Sequence, residues 1–119
     1  MNFESVKEIN IEKLRSLFAE NKVFHLIDVR EQSEWDAGFI EKAHHLPRGT
    51  LPLEIEKLIP EKDTCIVLYC AAGYRSALAA MTLQEMNYTN VYSLQGGYQT
   101  WSAKSACALS ERGFISEIR

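Results

Sequence analysis

Cysteine and long apolar runs are scarce in this sequence, and positive charge is not in excess. Three cysteines in 119 residues are too few, and of the wrong parity, for a disulfide scaffold. No stretch approaches the roughly 20 apolar residues of a membrane span, so no membrane partner is expected. The net charge of −3 and the isoelectric point near 5.6 do not indicate a nucleic-acid partner.

No secretion signal is expected from residues 1–8, which contain no basic segment followed by an apolar one. Together with the few cysteines, this favours a reducing cytoplasm, in which a free thiol persists. The length suits one compact domain over residues 1–119, which ends in a C-terminal helix and tail over 103–119. The sequence assigns no role to that last segment.

Short apolar segments alternate with helical patterns along the whole chain. The apolar segments predict strands near residues 5–9, 23–29, 43–46, 65–69 and 90–94. Helical spacing is found in residues 11–20, 34–37, 53–58, 77–86 and 98–109. The sequence therefore predicts an α/β three-layer domain, with a central parallel sheet of about five strands flanked by helices.

The chemistry of the chain is concentrated in Cys70-Ala71-Ala72-Gly73-Tyr74-Arg75-Ser76, between the fourth predicted strand and a helical pattern. This order places Cys70 opposite a helix N-terminus, where unpaired N–H groups and the helix dipole favour negative charge. Its thiol is expected to ionise more easily than a free cysteine, whose pKa is about 8.5. Gly73 allows the loop to curl, and Arg75 adds a permanent positive charge. These features predict a thiolate nucleophile, whereas a buried structural cysteine is the interpretation that suits Cys65.

Three further polar residues fall near the same edge of the predicted sheet. Asp28 and Arg30 follow the second strand, and ligands of open parallel sheets bind at the carboxyl ends of the strands. Asp28 is expected to anchor the loop or Arg30 through hydrogen bonds. Arg30 and Arg48 are expected to flank the mouth of the site and attract an anionic substrate, with solvated surface charge as the alternative for Arg48.

The remaining candidate groups do not predict a metal site. His44 and His45 are adjacent, so on a strand their side chains point to opposite faces and cannot bind one ion together. Cys107 lies in a helical pattern and is interpreted as a plain helix cysteine. A role as a resolving thiol would require it to lie close to Cys70 in space.

Taken together, these residues resemble the rhodanese family in its small single-domain form. The matching segments lie in the family's order and spacing over residues 28–101: Asp28-Val29-Arg30, Glu34-Trp35, Gly38, Ala43, Pro47, the loop 70–76, Leu94, Gly96-Gly97 and Trp101. The chain departs from the family in four places, one of which is Glu41-Lys42, where a proline-glycine pair is common. Phe39 stands where a histidine is usual, His45 where an asparagine is frequent, and the loop residues Ala71 and Ala72 are neutral.

The resemblance implies a sulfurtransferase with the rhodanese-like fold. In this family the loop cysteine takes a sulfane sulfur from thiosulfate or a persulfide, holds it as a persulfide, and passes it to cyanide or a thiol. For this chain the resemblance implies Cys70 as the catalytic residue and the N–H groups of residues 71–76 as the cradle of the persulfide. It also implies a small sulfur donor, a protein or thiol acceptor, and no cofactor beyond the covalent persulfide.

Two other functions remain open. Cysteine phosphatases and arsenate reductases on the same fold have one more residue between cysteine and arginine than the four that separate Cys70 from Arg75. The smaller ring suits one added sulfur atom better than a tetrahedral oxyanion. A dedicated sulfur carrier that serves one protein partner is the second alternative, and it would show poor turnover with thiosulfate and cyanide.

Overall fold

Five short strands form a parallel sheet at the centre of the protein. The computed structural model describes the backbone of residues 5–111 and the side chains up to residue 104. The strands are β1 (Lys7–Ile9), β2 (His25–Asp28), β3 (His44–His45), β4 (Ile66–Tyr69) and β5 (Val91–Leu94). They pair in the order β1-β5-β4-β2-β3, and every pairing is parallel. The prediction of a parallel sheet of about five strands is confirmed.

Five helices follow the strands: α1 (Ile11–Ala19), α2 (Gln32–Ala37), α3 (Leu51–Leu58), α4 (Tyr74–Glu85) and α5 (Gly97–Glu111). The side chain of Asn10 caps α1, because its oxygen accepts a hydrogen bond of 2.8 Å from the Lys13 N–H. Helix α4 begins earlier than the apolar spacing predicted, so Tyr74, Arg75 and Ser76 form its first turn. The apolar spacing missed this turn because none of its three residues is aliphatic: Tyr74 is aromatic, and Arg75 and Ser76 are polar.

The helices cover both faces of the sheet. Along β4 the side chains of Ile66 and Leu68 join a core that contains residues of α3 and α4. Those of Val67 and Tyr69 join a second core with residues of α1 and α5. All four residues of β4 are buried, as in a parallel strand covered on both faces. This arrangement confirms the predicted three-layer α/β fold.

The carboxyl ends of β2, β4 and β5 lie side by side, because these three strands are neighbours in the sheet. The segments that follow them carry Arg30, Cys70 and Gly97. Within residues 5–111, none of the helices has the length and apolar character that crossing a bilayer requires. The Cys107 side chain and the tail from residue 112 onward lie outside the described part of the chain, so the predictions made for them stay predictions.

Candidate active site

Cys70 lies directly after β4 and is 1% exposed. Its Sγ lies 3.0 Å from the backbone nitrogen of Gly73 and 3.4 Å from that of Ser76, and both N–H groups donate to the sulfur. The Ser76 Oγ lies 3.6 Å from the sulfur, where the hydroxyl can donate to a thiolate or accept from a thiol. The chain therefore curls so that the start of α4, the positive end of its dipole, faces the sulfur.

These contacts lower the pKa of the Cys70 thiol. Burial by itself raises this pKa, because a thiolate loses its hydration in the protein interior. Hydrogen bonds from the Ser76 hydroxyl and from the N–H groups of Ser76, Gly73 and Ala72 stabilise the thiolate and outweigh burial. At Cys65, by contrast, burial dominates and raises the thiol pKa. Of the two cysteines whose side chains the structure describes, the loop therefore favours the anionic form of Cys70.

We expect the two cysteines to titrate on opposite sides of the ordinary thiol pKa of about 8.5. The rate of Cys70 alkylation should fall, as pH falls, through a midpoint below that value, because protonation removes the thiolate. The midpoint for Cys65 should lie above it. Iodoacetamide labelling across pH, followed by peptide mass mapping, reads both midpoints in one sample. A Cys70 midpoint at or above that of Cys65 contradicts stabilisation of the thiolate by the loop.

The other loop residues contribute through their backbone. Gly73 has a φ of +122°, a conformation that L side chains rarely adopt. Ala72 and Tyr74 point outward, and Tyr74 is 66% exposed. The side chains of residues 71–74 are small or aromatic, and none is charged.

The N-terminus of α5 holds the loop from behind. The backbone N–H of Tyr98 donates to the Cys70 carbonyl at 2.8 Å, and that of Gln99 donates to the Ala71 carbonyl at 3.0 Å. Gly97 has a φ of +56°, and a Cβ there would lie 2.7 Å from the Ala71 oxygen and closer still to the Cys70 oxygen. Only a glycine permits this approach. In the sequence Gly97 marked a break after a strand, and its contact with the loop was missed.

Arg75 connects the loop to α2. Its Nη1 and Nη2 lie 2.7 and 2.9 Å from the two carboxylate oxygens of Glu34, a bidentate pair that is about one third exposed. The hydrogen bond from Arg75 lowers the pKa of Glu34 to about 2, and the carboxylate raises the pKa of Arg75. Glu34 also accepts a bond of 2.9 Å from the Glu31 N–H at the start of α2. The guanidinium is thus turned toward Glu34, which sequence reasoning did not single out as a site residue.

Asp28 and Arg30 form a buried ion pair. The Arg30 Nε lies 3.0 Å from both carboxylate oxygens, and Nη2 lies 2.6 Å from Oδ2 and 2.6 Å from the Gly38 carbonyl oxygen. The guanidinium also lies 4.4 Å from the centre of the Tyr98 ring. Because Arg30 is only 4% exposed, the prediction that it flanks the mouth is wrong. Asp28 turns it inward, where it connects β2, α2 and α5.

Arg48 lies at the same edge of the sheet with an exposed side chain. Its backbone N–H donates to the Val29 carbonyl at 3.1 Å, which fixes the segment after β3 beside the end of β2. Attraction of an anionic substrate by Arg48 stays a prediction.

Two of the departures from the family pattern, Phe39 and His45, pack against the same tryptophan ring. Trp35 lies against Phe39, with ring centres 3.8 Å apart, and against His45, with centres 4.7 Å apart. The His45 Nε2 also lies 2.8 Å from the carbonyl oxygen of Arg30. The stacking of Trp35 on His45 therefore joins α2 to β3, and Phe39 packs against the same Trp35 ring. In the described part of the chain, no cluster of His, Cys, Asp and Glu side chains is arranged to hold a metal ion.

Comparison with known proteins finds a matching family model and related sequences. The family model of the rhodanese-like domain matches residues 10–104. A sulfurtransferase from Allochromatium vinosum is 32% identical over 97 residues, which cover 82% of this chain and 89% of that protein. A thiosulfate sulfurtransferase from Coxiella burnetii is 37% identical over 78 residues, which cover 66% of this chain and 71% of that protein.

One solved structure with a similar fold carries a different functional description. A protein of unknown function from Rhodopseudomonas palustris, described as a possible tyrosine phosphatase, superposes with a TM-score of 0.79 at 28% identity. The superposition covers 86% of this chain and 83% of that one. The fold is therefore shared by proteins with different descriptions, and the arrangement around Cys70 has to distinguish between them.

Proposed function

The chain belongs to the family of rhodanese-like domains, and from that premise we propose that it transfers sulfane sulfur through a persulfide on Cys70. The relative named as a sulfurtransferase supports sulfur transfer as the general activity. The observation that carries the specific proposal is the Cys70 sulfur, which receives hydrogen bonds from the N–H groups of Gly73 and Ser76. A thiolate held in this way is a nucleophile without an adjacent base.

In the first half of the reaction, the Cys70 thiolate attacks the outer sulfur of the donor. A new S–S bond forms at Sγ while the S–S bond of the donor breaks, and its electron pair leaves with sulfite or with a thiolate. The terminal sulfur of the persulfide carries the negative charge that Cys70 brought. The backbone N–H groups at the start of α4 can stabilise that charge, because they already point into the loop.

In the second half, cyanide or a thiolate attacks the terminal sulfur of the persulfide. The S–S bond at Cys70 breaks and its electron pair returns to Sγ, which restores the thiolate. The electrons balance without an external oxidant or reductant, and no cofactor is required. The cycle needs a free thiolate at its start, which supports a reducing compartment such as the cytoplasm.

The charges around the loop favour a donor with little negative charge. Arg75 is paired with Glu34, and Arg30 is paired with Asp28, so each arginine is balanced by a carboxylate. The backbone amides then supply most of the positive potential at the sulfur. A persulfide anion has half the charge of thiosulfate. We therefore propose a persulfide as the preferred donor and thiosulfate, which the name of the Coxiella relative supports, as a slower one.

The ion pair between Arg75 and Glu34 argues against phosphatase activity. A phosphatase loop needs its arginine free to hold the oxygens of the phosphoryl group, in the bidentate geometry typical of guanidinium and phosphate. Here both terminal nitrogens of Arg75 hold Glu34 at 2.7 and 2.9 Å. The loop is also one residue shorter than the phosphatase pattern. Both features favour sulfur over a tetrahedral oxyanion as the transferred group.

Arg75→Ala is expected to lower the rate of sulfur transfer about tenfold, because the loop loses its contact with α2. Glu34→Gln should lower the rate in the same direction, since it weakens the same pair from the other side. The folded-state pKa of Glu34 is depressed to about 2 from an ordinary 4.5. The stabilisation that this ion pair gives to the folded protein is therefore fully present above pH 4.5 and is lost as pH falls toward 2. Sulfur-transfer rates of the two variants test the role of this ion pair, and an unchanged rate in Arg75→Ala contradicts that role.

The proposed function is tested by intact mass spectrometry of the protein before and after incubation with thiosulfate, and separately with a low-molecular-weight persulfide. We expect a gain of one sulfur atom that peptide mapping assigns to Cys70, and that cyanide removes. Release of phosphate from a phosphatase substrate is measured on the same sample. Sulfur on another cysteine, or phosphate release without any sulfur adduct, contradicts the proposal. An adduct that passes sulfur to a partner protein but not to cyanide supports the dedicated carrier.

A further inference from the structure

Two buried hydroxyl groups lie one behind the other beneath the Cys70 sulfur. Ser76 in α4 and Ser93 in β5 are both fully buried. Their Oγ atoms lie 2.7 Å apart, a short hydrogen bond in which either oxygen could donate. Ser76 contacts the sulfur directly, whereas Ser93 belongs to the neighbouring strand and, among the residues described, reaches the site through Ser76. The two-residue chain runs from the sheet to the reacting atom.

The partners of each hydroxyl decide the direction of this chain. In the described part of the protein, the hydrogen-bond partner of the Ser93 hydroxyl is Ser76 Oγ. The Ser76 hydroxyl has two further acceptors within reach, the Gly73 carbonyl at 3.1 Å and the Cys70 sulfur at 3.6 Å. A buried O–H without an acceptor is costly, so Ser93 donates to Ser76. The proton of Ser76 is then left for Gly73 or for the sulfur.

We propose that Ser93 is a positioning residue that makes Ser76 a hydrogen-bond donor to the Cys70 thiolate. By donating to Ser76 Oγ it polarises that hydroxyl, and a polarised hydroxyl is a stronger donor to an anion. It also takes one of the two acceptor positions on the oxygen to which a protonated Cys70 would itself donate. Both effects favour the thiolate over the thiol. The inference rests on the proposed role of Cys70 as the nucleophile.

The role proposed for the two serine hydroxyls is separate from that of the charged groups near Cys70. The charge that acts on Cys70 from α4 is Arg75, which is paired with Glu34 of α2. Both of these residues are unchanged in every variant described below. A change in the titration of Cys70 after substitution of Ser93 therefore reports the hydroxyl chain and not an altered ion pair.

The experiment is a double-mutant cycle read by the pH midpoint of Cys70 alkylation, with peptide mass mapping to separate the cysteines. Ser76→Ala should raise the midpoint by about one pH unit or more, because a hydrogen bond to the thiolate is lost. Ser93→Ala should raise it by roughly half a unit. Ser93→Ala should cause no further rise in the Ser76→Ala background, since Ser93 acts only through Ser76. Ser16→Ala is the matched control and should leave the midpoint unchanged, because this half-buried serine of α1 is hydrogen-bonded to Glu20.

Two results overturn the proposal: an unchanged midpoint in Ser93→Ala, and shifts of the two alanine variants that add in the double variant. Circular dichroism checks that each variant is folded. If Ser93→Ala does not fold, Ser93→Cys keeps a group of similar size that donates only weakly, and its midpoint must also rise. The titration requires no sulfur donor. A failure of the proposed sulfur transfer with the expected midpoint shifts would therefore leave the role of Ser93 intact.

Discussion

Cys70→Ser is expected to reduce the transfer of sulfur to cyanide to the uncatalysed background, a loss of roughly a thousandfold or more. A serine hydroxyl is scarcely ionised at neutral pH and cannot form the persulfide. The fold should survive, because the hydroxyl can accept the hydrogen bonds that the Gly73 and Ser76 N–H groups now donate to sulfur. Steady-state rates with a persulfide donor and a thermal unfolding curve measure the two effects separately.

Cys65→Ser is the matched control for this prediction. Cys65 lies immediately before β4, at the opposite end of the strand from the loop, and is only partly buried. The same chemical change there should leave the transfer rate within about twofold of the wild type. If Cys70→Ser retains a substantial part of the activity while folded, Cys70 is not the nucleophile.

Gly97→Ala is expected to destabilise the protein by about 2–4 kcal/mol and to lower sulfur transfer at least about tenfold. The added methyl group would overlap the backbone carbonyls of Cys70 and Ala71, and Gly97 has a positive φ of +56°. The backbone of α5 or of the Cys70 loop would have to move, because the atoms that the methyl group would contact are backbone atoms and not a flexible side chain. For a domain of this size the melting temperature should fall by roughly 10 °C or more.

Gly49→Ala makes the same substitution where nothing opposes it. Gly49 has no heavy atom within 4 Å of an added Cβ, so its effect on the free energy of unfolding should stay within about 0.5 kcal/mol. Thermal unfolding of the two variants side by side isolates the contact at Gly97 from the general effect of replacing a glycine. Equal melting temperatures would show that α5 does not constrain the Cys70 loop.

Three parts of the protein hold the loop in place. Arg75 fixes it to α2, the N–H groups of Tyr98 and Gln99 hold its carbonyls from α5, and Ser93 supports Ser76 from β5. Each support reaches a different part of the loop. We therefore expect single substitutions at these supports to weaken sulfur transfer by tens of times at most, well short of the loss in Cys70→Ser.

The sequence by itself predicted the order of the elements, the parallel sheet and the position of Cys70. These features are local. Apolar spacing distinguishes strands from helices, and a strand, a glycine-containing loop and a helix in succession place a thiol against free N–H groups. The family pattern over residues 28–101 depends on the same local order, and the family match over residues 10–104 agrees with it.

Only the tertiary structure decided which side chains support the site. Glu34 lies 41 positions before Arg75, and Ser93 lies 17 positions after Ser76, so no local spacing connects either pair. The burial of Arg30 was missed for a related reason, since an arginine beside an aspartate can face water or the core. Direction and burial of a side chain depend on which elements pack against it, and strand order and helix packing over the whole chain decide that.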